Sequence, residues 1–493
     1  MKLIFNALLF SLFYLSTSAK GISLSVTPYP VETSTNAPEL TCVKSNKIPT
    51  QIKAPEVTPK YIPDDNEIED ELSSYLEERP LNLTQSQKKQ GTLGHPQAGS
   101  PYRVAIWGDS HLAAAYFTNE LIKLLKLPSD QVQPGFIPAN MNRAGVRLPL
   151  RKTCVSDNWI YEPAYAVPAG AHTPGPGLVN LYSRTPGASL SWDLRKNTPA
   201  GGWKQVRFLY QRTSAPQTIA VSIDGATEFD VSLTGPEGPA ALELISQNPL
   251  STLNIRLTTG ELRYHGLSLP TTSPARLQID VFGYPGATVS GWKRANMDYL
   301  DAWFVMQHYD LVMLEFGTNE GNNKPFDPVK YQQDLRFSIL NLRSIFPVSA
   351  CVLIAPGDRG ILISPSLSKK PHKKSLHTKK RKAALTRKIS HYHKKTAGKN
   401  IHKSSTDLML YTRIHADISR IQIEVASEYS CHVWSAFDAM GGAGSAYRWA
   451  KQSPALMAKD LIHFTAPGYQ KLADIFAADL GWSFDEIYIT HSP

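Results

Sequence analysis

The sequence predicts an α/β fold: a three-layer α/β/α domain with a parallel sheet, interrupted by an inserted β-sandwich. Apolar strands such as residues 102–107 and 277–283 alternate with amphipathic helical segments, which is typical of a parallel sheet covered on both faces. Between residues 155 and 276, short strand-like runs recur about every ten residues, separated by Gly, Pro, Asn and Asp. This spacing is typical of a sandwich.

The first strand–turn–helix unit of the α/β domain covers residues 102–127, with "GDSH" at the turn. Alternation resumes after the sandwich, where apolar periodicity and turn residues mark the boundaries. The predicted elements there are a strand at 276–283, a helix at 294–308, a strand at 309–317, a helix at 327–345, a strand at 351–357, a helix at 407–429 and a strand at 432–438.

These patterns divide the chain into several predicted segments. The α/β domain is expected in three parts, at 98–154, 277–365 and 405–493, with the sandwich at 155–276. The remaining segments are a signal peptide at 1–19, a weakly ordered arm or linker at 20–97 with one short helix at 66–78, and a basic disordered insert at 366–404.

The N-terminus has the pattern of a secretory signal peptide. Lys2 supplies a positive charge, residues 3–15 form an apolar run, and residues 16–19 are small and suited to cleavage. The alternative is an uncleaved anchor, although the apolar run is short for a membrane span. We therefore expect a secreted or periplasmic protein of the cell envelope.

Four cysteines in an exported chain permit disulfides, with three possible pairings. Cys351 and Cys431 each open a strand-like run. If those runs are neighbouring parallel strands, their starts lie about 5 Å apart, which suits a disulfide. We predict a Cys351–Cys431 bridge, and the pairing of Cys42 and Cys154 stays open.

The formal net charge of +10 comes from one segment. Residues 369–403 hold 14 Lys or Arg and no acid, and the rest of the chain has 38 basic and 42 acidic residues, a net charge of −4. Such a run is usually solvated and disordered. The alternative is a tether to an anionic envelope polymer or lipid surface. Nucleic acid is not an expected partner of an exported chain.

Polar motifs follow the predicted strands, where ligands bind in open parallel sheets. They are "GDSH" with Ser110, "YPGATVSGW" with Gly286, and "GTNEG" with Asn319. Near the C-terminus, Asp460 precedes His463 by three residues, so that one turn can present both side chains to the same site.

These residues fit the requirements of ester hydrolysis by serine. Ser110 can act as nucleophile, His463 as base, and Asp460 as the group that orients the imidazole. The backbone N–H groups of Ser110 and Gly286 and the Asn319 amide can bind the oxyanion. Each motif also has a structural interpretation, as a helix N-cap, a tight turn or a loop cap. Their order along the chain favours the catalytic interpretation.

The four blocks resemble the SGNH, or GDSL-type, hydrolase superfamily. The C-terminal passage at 436–474 and the β insert resemble secreted bacterial peptidoglycan O-acetylesterases, over roughly residues 100–365 and 405–485. That resemblance implies that Ser110, Gly286, Asn319 and His463 are the signature residues, with Asp460 completing the triad. It also implies a carbohydrate-binding-module-like sandwich. The basic insert and the N-terminal arm depart from the pattern.

The expected function is therefore removal of O-acetyl groups from peptidoglycan, without a metal or another cofactor. The alternatives are an SGNH esterase on another acetylated polysaccharide or lipid, and a non-catalytic wall-binding protein. Aromatic residues occur at 203–208, 284–292 and 447–449 and are suited to stacking on sugars. The alternative is that they belong to the sandwich core, with Trp203 as an example. Oligomeric state and regiochemistry are not predictable from the sequence.

Overall fold

The computed structural model describes residues 29–31, 38–42, 60–78, 92–168, 173–196, 202–272, 274–305, 307–322, 325–363 and 406–488. The predicted signal peptide and the predicted basic insert lie outside these residues. The strands are β1 (Tyr29–Val31), β2 (Tyr102–Gly108), β3 (Val132–Gln133), β4 (Phe136–Pro138), β5 (Lys152–Val155), β6 (Ile160–Pro163), β7 (Val179–Ser183), β8 (Ser189–Asp193), β9 (Gln205–Arg212), β10 (Thr218–Ile223), β11 (Phe229–Ser232), β12 (Gly238–Ser246), β13 (Thr252–Thr259), β14 (Leu262–Ser268), β15 (Leu277–Gly283), β16 (Leu311–Glu315), β17 (Ala350–Ala355) and β18 (His432–Ser435).

The helices connect the strands of the parallel sheet or flank its motifs. They are α1 (Asp65–Glu78), α2 (Ser110–Ala113), α3 (Tyr116–Leu124), α4 (Ser290–Arg294), α5 (Met297–Asp301), α6 (Pro328–Ile345), α7 (Leu410–Glu428), α8 (Ala436–Ala439), α9 (Ser445–Ala450), α10 (Ala466–Leu480) and α11 (Phe484–Tyr488). No helix among the described ranges combines the length and the apolarity that a membrane crossing requires.

The predicted parallel sheet is confirmed. Its six strands in the described part of the chain run in the order β18-β17-β16-β2-β15-β3, and all neighbours are parallel. Alternate side chains of β2 enter different apolar clusters: Val104 and Ile106 pack with α3 and α10, and Ala105 and Trp107 pack with α4, α6 and α7. This alternation buries both faces of the sheet and gives three layers.

Two further sheets are mainly antiparallel. Among the described strands, one has the order β1-β12-β9-β14-β7-β6, with β4 on β14, and the other has the order β11-β10-β13-β8-β5. Side chains of both sheets form one apolar cluster, which includes Phe208 and Tyr264 from one sheet and Trp192 and Ile255 from the other. Two sheets that share a core in this way are packed as a sandwich. β4 and β5 belong to it, and both begin before residue 155, at which the sequence analysis began the insert.

Two predicted helices are broken in the structure. The helix after "GDSH" is divided into α2 and α3 at Ala115, whose φ is +58°. The predicted helix 294–308 is replaced by α4 and α5, because the Asn296 side chain accepts a hydrogen bond from the Tyr299 N–H at 3.0 Å and starts a new helix there. α6 and α7 lie where helices were predicted.

Described parts of the predicted N-terminal arm contact the rest of the molecule. β1 pairs with β12, and Cys42 forms a disulfide with Cys154 of β5 across 112 residues. α1 buries Ile68 and Tyr75 against the α/β half. These contacts depend on distant residues, which explains why the Pro- and Ser-rich composition of the segment did not indicate them.

The predicted Cys351–Cys431 disulfide is present, with a Cα–Cα distance of 4.6 Å. It joins the second residue of β17 to the residue before β18, two neighbouring parallel strands. It therefore closes a loop of 80 residues at the amino ends of these strands. The polar motifs lie at the opposite, carboxyl ends.

The aromatic residues that the sequence analysis considered for sugar stacking lie in the interior. Trp203, Phe208, Trp292 and Trp449 are at most 4% exposed. Trp203 and Phe208 belong to the sandwich cluster, and Trp292 packs against Trp107 under the parallel sheet. These side chains stabilise the core and are not available to a glycan.

Candidate active site

The carboxyl ends of three parallel strands bring the predicted motifs together. The strand register places Gly108 of β2 beside Gly283 of β15 and Glu315 of β16. The loops that carry Ser110, Gly286 and Asn319 therefore start at one edge of the sheet, as the rule for open parallel sheets requires.

Ser110 is the first residue of α2 and is half-buried. Asp109 caps this short helix, because its Oδ1 accepts a hydrogen bond from the His111 N–H at 2.9 Å. The N-cap interpretation of "GDSH" is thus correct, and Asp109 supplies the cap. Because Asp109 is the capping residue, the Ser110 hydroxyl is not used to cap α2.

A tight turn presents His463 and Asp460 to the same site. Within the turn, the Ala458 N–H donates to the His463 carbonyl at 2.8 Å, and Leu461 has a φ of +57°. Asp460 Oδ1 accepts from the backbone N–H groups of Ile462 at 2.9 Å and His463 at 3.0 Å. The carboxylate that faces the imidazole is therefore fixed by its own backbone.

Ser110, His463 and Asp460 form one hydrogen-bonded chain. His463 Nε2 lies 3.0 Å from Ser110 Oγ, and His463 Nδ1 lies 2.7 Å from Asp460 Oδ2. This is the arrangement in which a histidine holds its Nδ1 proton on a carboxylate and offers Nε2 to a hydroxyl. The two protein segments that meet here are 353 residues apart.

The surroundings of Asp460 favour the charged form of its carboxylate next to His463. Burial raises the pKa of Asp460, but hydrogen bonds from the His463 ring and from two backbone N–H groups outweigh it and leave this pKa well below its usual range. The hydrogen bond to Asp460 raises the pKa of His463 above its usual value, against the effect of burial. The carboxylate therefore stabilises an imidazolium at Nε2.

Two backbone N–H groups on these loops have no acceptor in the described part of the chain. Among the described residues, neither the Ser110 N–H nor the Gly286 N–H donates a hydrogen bond. Gly286 has a φ of +85°, and a Cβ there would lie 3.2 Å from the Tyr165 hydroxyl. The turn therefore favours glycine for its backbone conformation and for its lack of a side chain.

The Asn319 amide is held by two acceptors. Its Nδ2 donates to Asp109 Oδ2 at 3.0 Å and to the Ala287 carbonyl at 2.9 Å. These bonds join the loops that carry Ser110, Gly286 and Asn319. Both amide hydrogens thus have protein partners in this structure.

Three buried carboxyl groups lie beneath these loops. Burial raises the pKa of Asp109 to about 7 and that of Glu320 to about 7, and it raises the pKa of Glu315 well above its usual value. Glu315 Oε2 accepts from the Asp109 N–H at 3.2 Å. Glu320 accepts from the N–H groups of Val289 at 2.8 Å and Gly317 at 3.0 Å. The cluster therefore connects the loops through their backbone.

His111 packs beneath the His463 ring, with 5.3 Å between the ring centroids. Its Nδ1 lies 3.1 Å from the Tyr469 hydroxyl. Burial lowers the pKa of His111 to about 3, so the ring is neutral near neutral pH and adds no charge next to His463. His111 therefore supports the His463 ring through packing.

Comparison with solved structures indicates the fold. A peptidoglycan O-acetylesterase superposes with a TM-score of 0.53 at 21% sequence identity, and the match covers 77% of this chain and 91% of that chain. Other matches are a family two carbohydrate esterase from Clostridium thermocellum (TM-score 0.24, 10% identity, 66% of this chain and 99% of that one) and a GDSL-like lipase from Parabacteroides merdae (TM-score 0.26, 14% identity, 42% and 73%). No protein-family model matches the chain, and no curated protein matches it significantly.

The chain shares its fold with this peptidoglycan O-acetylesterase. The match to the esterase spans most of both chains, and the chain shares with it the three-layer α/β architecture. The structure places all five predicted site residues at one end of the parallel sheet: Ser110, Gly286, Asn319, Asp460 and His463.

Sequence reasoning missed Glu315, Glu320 and Arg359 at this end of the parallel sheet. Arg359 follows β17 in the segment "APGDRG", and it lines a cavity together with Asp460. The rule about strand ends would have found it, since β17 is parallel to its neighbours. Among the described residues, no group of three or more His, Cys, Asp or Glu side chains is arranged to hold a metal ion.

Proposed function

We propose that this chain is a serine esterase that removes O-acetyl groups from the muramic acid of peptidoglycan. The observation that carries the proposal is the hydrogen-bonded chain from Ser110 through His463 to Asp460. The fold shared with a peptidoglycan O-acetylesterase supports the choice of substrate. The predicted export of the chain agrees with it, because an exported chain meets the cell wall.

In the proposed reaction, Ser110 Oγ attacks the acetyl carbonyl while His463 Nε2 takes the hydroxyl proton. The tetrahedral intermediate collapses to an acetyl-enzyme as the bond to the sugar oxygen breaks, and His463 gives the proton to that oxygen, which leaves as a hydroxyl. Water then attacks the acetyl-enzyme with His463 again as base, which releases acetate and restores Ser110. Asp460 stabilises the imidazolium in both steps.

The oxyanion of each tetrahedral intermediate needs preorganised donors. The N–H groups of Ser110 and Gly286 meet this need, since neither has another acceptor among the described residues. Asn319 is the third predicted donor. It contributes directly when its amide turns from Asp109 Oδ2 or shares a hydrogen between Asp109 and the oxyanion.

The remaining expectations belong to this proposal. The sandwich would act as a carbohydrate-binding-module-like domain, and the enzyme would act in the cell envelope, secreted or periplasmic. The basic segment at 369–403 would contact an anionic envelope polymer or lipid surface. The reaction as written uses only protein groups and water.

The test compares the wild type with Ser110→Ala for acetate release from O-acetylated peptidoglycan, with sedimentation on the same sacculi. We expect the substitution to abolish release and to leave binding unchanged. Equal release by both proteins would exclude Ser110 as nucleophile. Hydrolysis of 4-nitrophenyl acetate without release from sacculi would indicate another acetylated polysaccharide or a lipid, and binding without any hydrolysis would indicate a wall-binding protein.

A further inference from the structure

A cavity of about 360 Å³ opens beside the triad, on the side of Asp460. Asp460 and Ile462 of the catalytic turn form one wall. Arg359, Tyr411 and Lys60 form other parts of the lining. Because the turn is shared, a group bound in this cavity would belong to the same substrate that places its ester at Ser110.

Arg359 is the unusual member of the lining, because it is only 9% exposed and has few partners. Its Nη1 donates to Asn322 Oδ1 at 2.6 Å, and its Cζ lies 3.9 Å from the centroid of the Tyr411 ring. Its Nε is buried without a hydrogen-bond partner. Among the described residues, the guanidinium forms no ion pair.

A buried guanidinium without a carboxylate is costly, because burial removes water from a charge that arginine keeps at neutral pH. The stack on Tyr411 and the bond to Asn322 fix the plane of the guanidinium but do not neutralise it. An anion that enters the cavity would offset this cost. Preorganised arginine favours planar carboxylates, which it binds through two parallel hydrogen bonds.

The other charges of the cavity do not satisfy Arg359. Asp407 accepts a hydrogen bond from Arg413, and Asp460 is paired with His463. Lys60 is exposed and forms no ion pair within the described ranges. Asp460 attracts the Arg359 guanidinium but forms no ion pair with it. The cavity therefore offers two cations, Arg359 and Lys60, that form no ion pair with a described carboxylate.

We propose that Arg359 and Lys60 form a carboxylate-binding subsite that recognises an acidic group of the acetylated substrate. This inference rests on the proposed function for the placement of the ester at Ser110. Peptidoglycan carries carboxylates on its stem peptides, and removal of the stem exposes the carboxylate of the lactyl ether on muramic acid. The subsite distinguishes such acidic substrates from neutral acetylated glycans and from small acetates.

The test measures binding of soluble O-acetylated peptidoglycan fragments to the full chain carrying Ser110→Ala, which prevents turnover. Three forms of the fragment are compared: with stem peptides intact, with every carboxylate converted to an amide, and with stems removed so that the lactyl carboxylate is free. Each is measured with and without Arg359→Met, Arg359→Lys and Lys60→Met. Arg420→Met, which removes an exposed arginine of α7, is the matched control.

We expect amidation to weaken binding roughly tenfold or more, which is typical for loss of a charged hydrogen-bonded partner. Arg359→Met should produce the same loss on the native fragment and none on the amidated one. Arg359→Lys should give an intermediate loss, because it keeps the charge without the planar fork. Tight binding of the stem-free fragment would assign the lactyl carboxylate, and weak binding would assign the stem peptide.

The proposal of a subsite is wrong if Arg359→Met leaves binding of the native fragment unchanged. It is also wrong if the substitution weakens binding of the native and the amidated fragments equally. The melting temperature of Arg359→Met should stay at the wild-type value. A lower melting temperature, together with equally weakened binding of the native and amidated fragments, would make Arg359 a structural residue and overturn the proposal. Failure of the proposed esterase function would give a different result. The wild type would then hydrolyse no ester, while the carboxylate-dependent binding would persist.

Discussion

Asn319 Nδ2 donates a hydrogen bond to Asp109 Oδ2 at 3.0 Å, and Asp109 directly precedes the proposed nucleophile. The other carboxylate oxygen of Asp109 caps α2 through the His111 N–H. One buried carboxyl group therefore fixes both the helix that carries Ser110 and the amide predicted as an oxyanion donor. Asp109 is in this sense a positioning residue for two parts of the site.

Asp109→Asn should lower kcat/KM for acetyl esters by about ten- to a hundredfold. The new amide can still cap α2 with its oxygen, but its NH₂ group would face the NH₂ group of Asn319. Kinetics on 4-nitrophenyl acetate, with thermal unfolding as a check on folding, measure the effect. Asp230→Asn, at an exposed position of the sandwich, is the control and should change neither quantity. Unchanged kinetics in Asp109→Asn would show that the contact does not position Asn319 during catalysis.

The sequence was sufficient for the parts of the fold that local patterns determine. The strands β2, β15, β16 and β17 follow from apolar runs, and the rule for open parallel sheets directs attention to the loops after them. The same reasoning predicted the Cys351–Cys431 bridge, since neighbouring parallel strands bring their starts together.

Features that depend on distant partners were not predictable in this way. β1 pairs with β12 more than 200 residues away, and no local pattern encodes such a pairing. The sequence likewise does not show which aromatic side chains are buried. Trp203 and Trp292 were compatible with a sugar-binding surface, but in the structure they are core residues. Glu315 ends an apolar strand, where its carboxyl group is buried by neighbours that the sequence does not identify.

Asp460→Asn should affect both the rate and its pH dependence. The hydrogen bond to Asp460 raises the pKa of His463, and a protonated His463 cannot accept the Ser110 proton. Without the carboxylate, the pKa of His463 falls, so that the acid limb of the kcat/KM profile moves to lower pH. The rate itself should fall by about two to four orders of magnitude, because the imidazolium and its tautomer lose their partner.

The pH profile of kcat/KM is measured from pH 5 to 8.5 with 4-nitrophenyl acetate. The control variant is Asp474→Asn, on the exposed face of α10. The control should keep the wild-type midpoint. An acid limb that stays at the same pH in Asp460→Asn would mean that a group other than His463 determines it.

Gly286→Ala tests the proposed oxyanion donor on the second loop. Gly286 and Gly187 have nearly the same positive φ, +85° and +89°, so alanine at either site should cost about 1 kcal/mol of stability. Gly187 lies in the sandwich and would meet no atom within 4 Å, whereas a Cβ at Gly286 would lie 3.2 Å from the Tyr165 hydroxyl. We expect similar losses of stability but a loss of kcat, about tenfold or more, only in Gly286→Ala. Equal kcat values in the two variants would argue against the Gly286 N–H as a donor.

Glu315→Gln should remove the pH dependence of stability on the alkaline side of neutrality. Burial, followed by the nearby charge of Asp109, raises the pKa of Glu315 well above its usual value. The folded chain therefore keeps a proton that the unfolded chain loses near pH 4.5, and the free energy of unfolding falls as pH rises towards the folded pKa. Asp109 and Glu320, with pKa values of about 7, contribute the same sign below that pH and little above it.

A proton held only by the folded chain lowers the free energy of unfolding by at most about 1.4 kcal/mol per pH unit as the pH rises, which is the upper limit of the slope from Glu315. Urea unfolding at several pH values measures it in the wild type, in Glu315→Gln and in Glu237→Gln, an exposed control in the sandwich. We expect the control to keep the wild-type slope and Glu315→Gln to flatten it. A slope that persists in Glu315→Gln would mean that Glu315 is already ionised at neutral pH, and that the buried cluster beneath Ser110 carries more charge than its burial indicates.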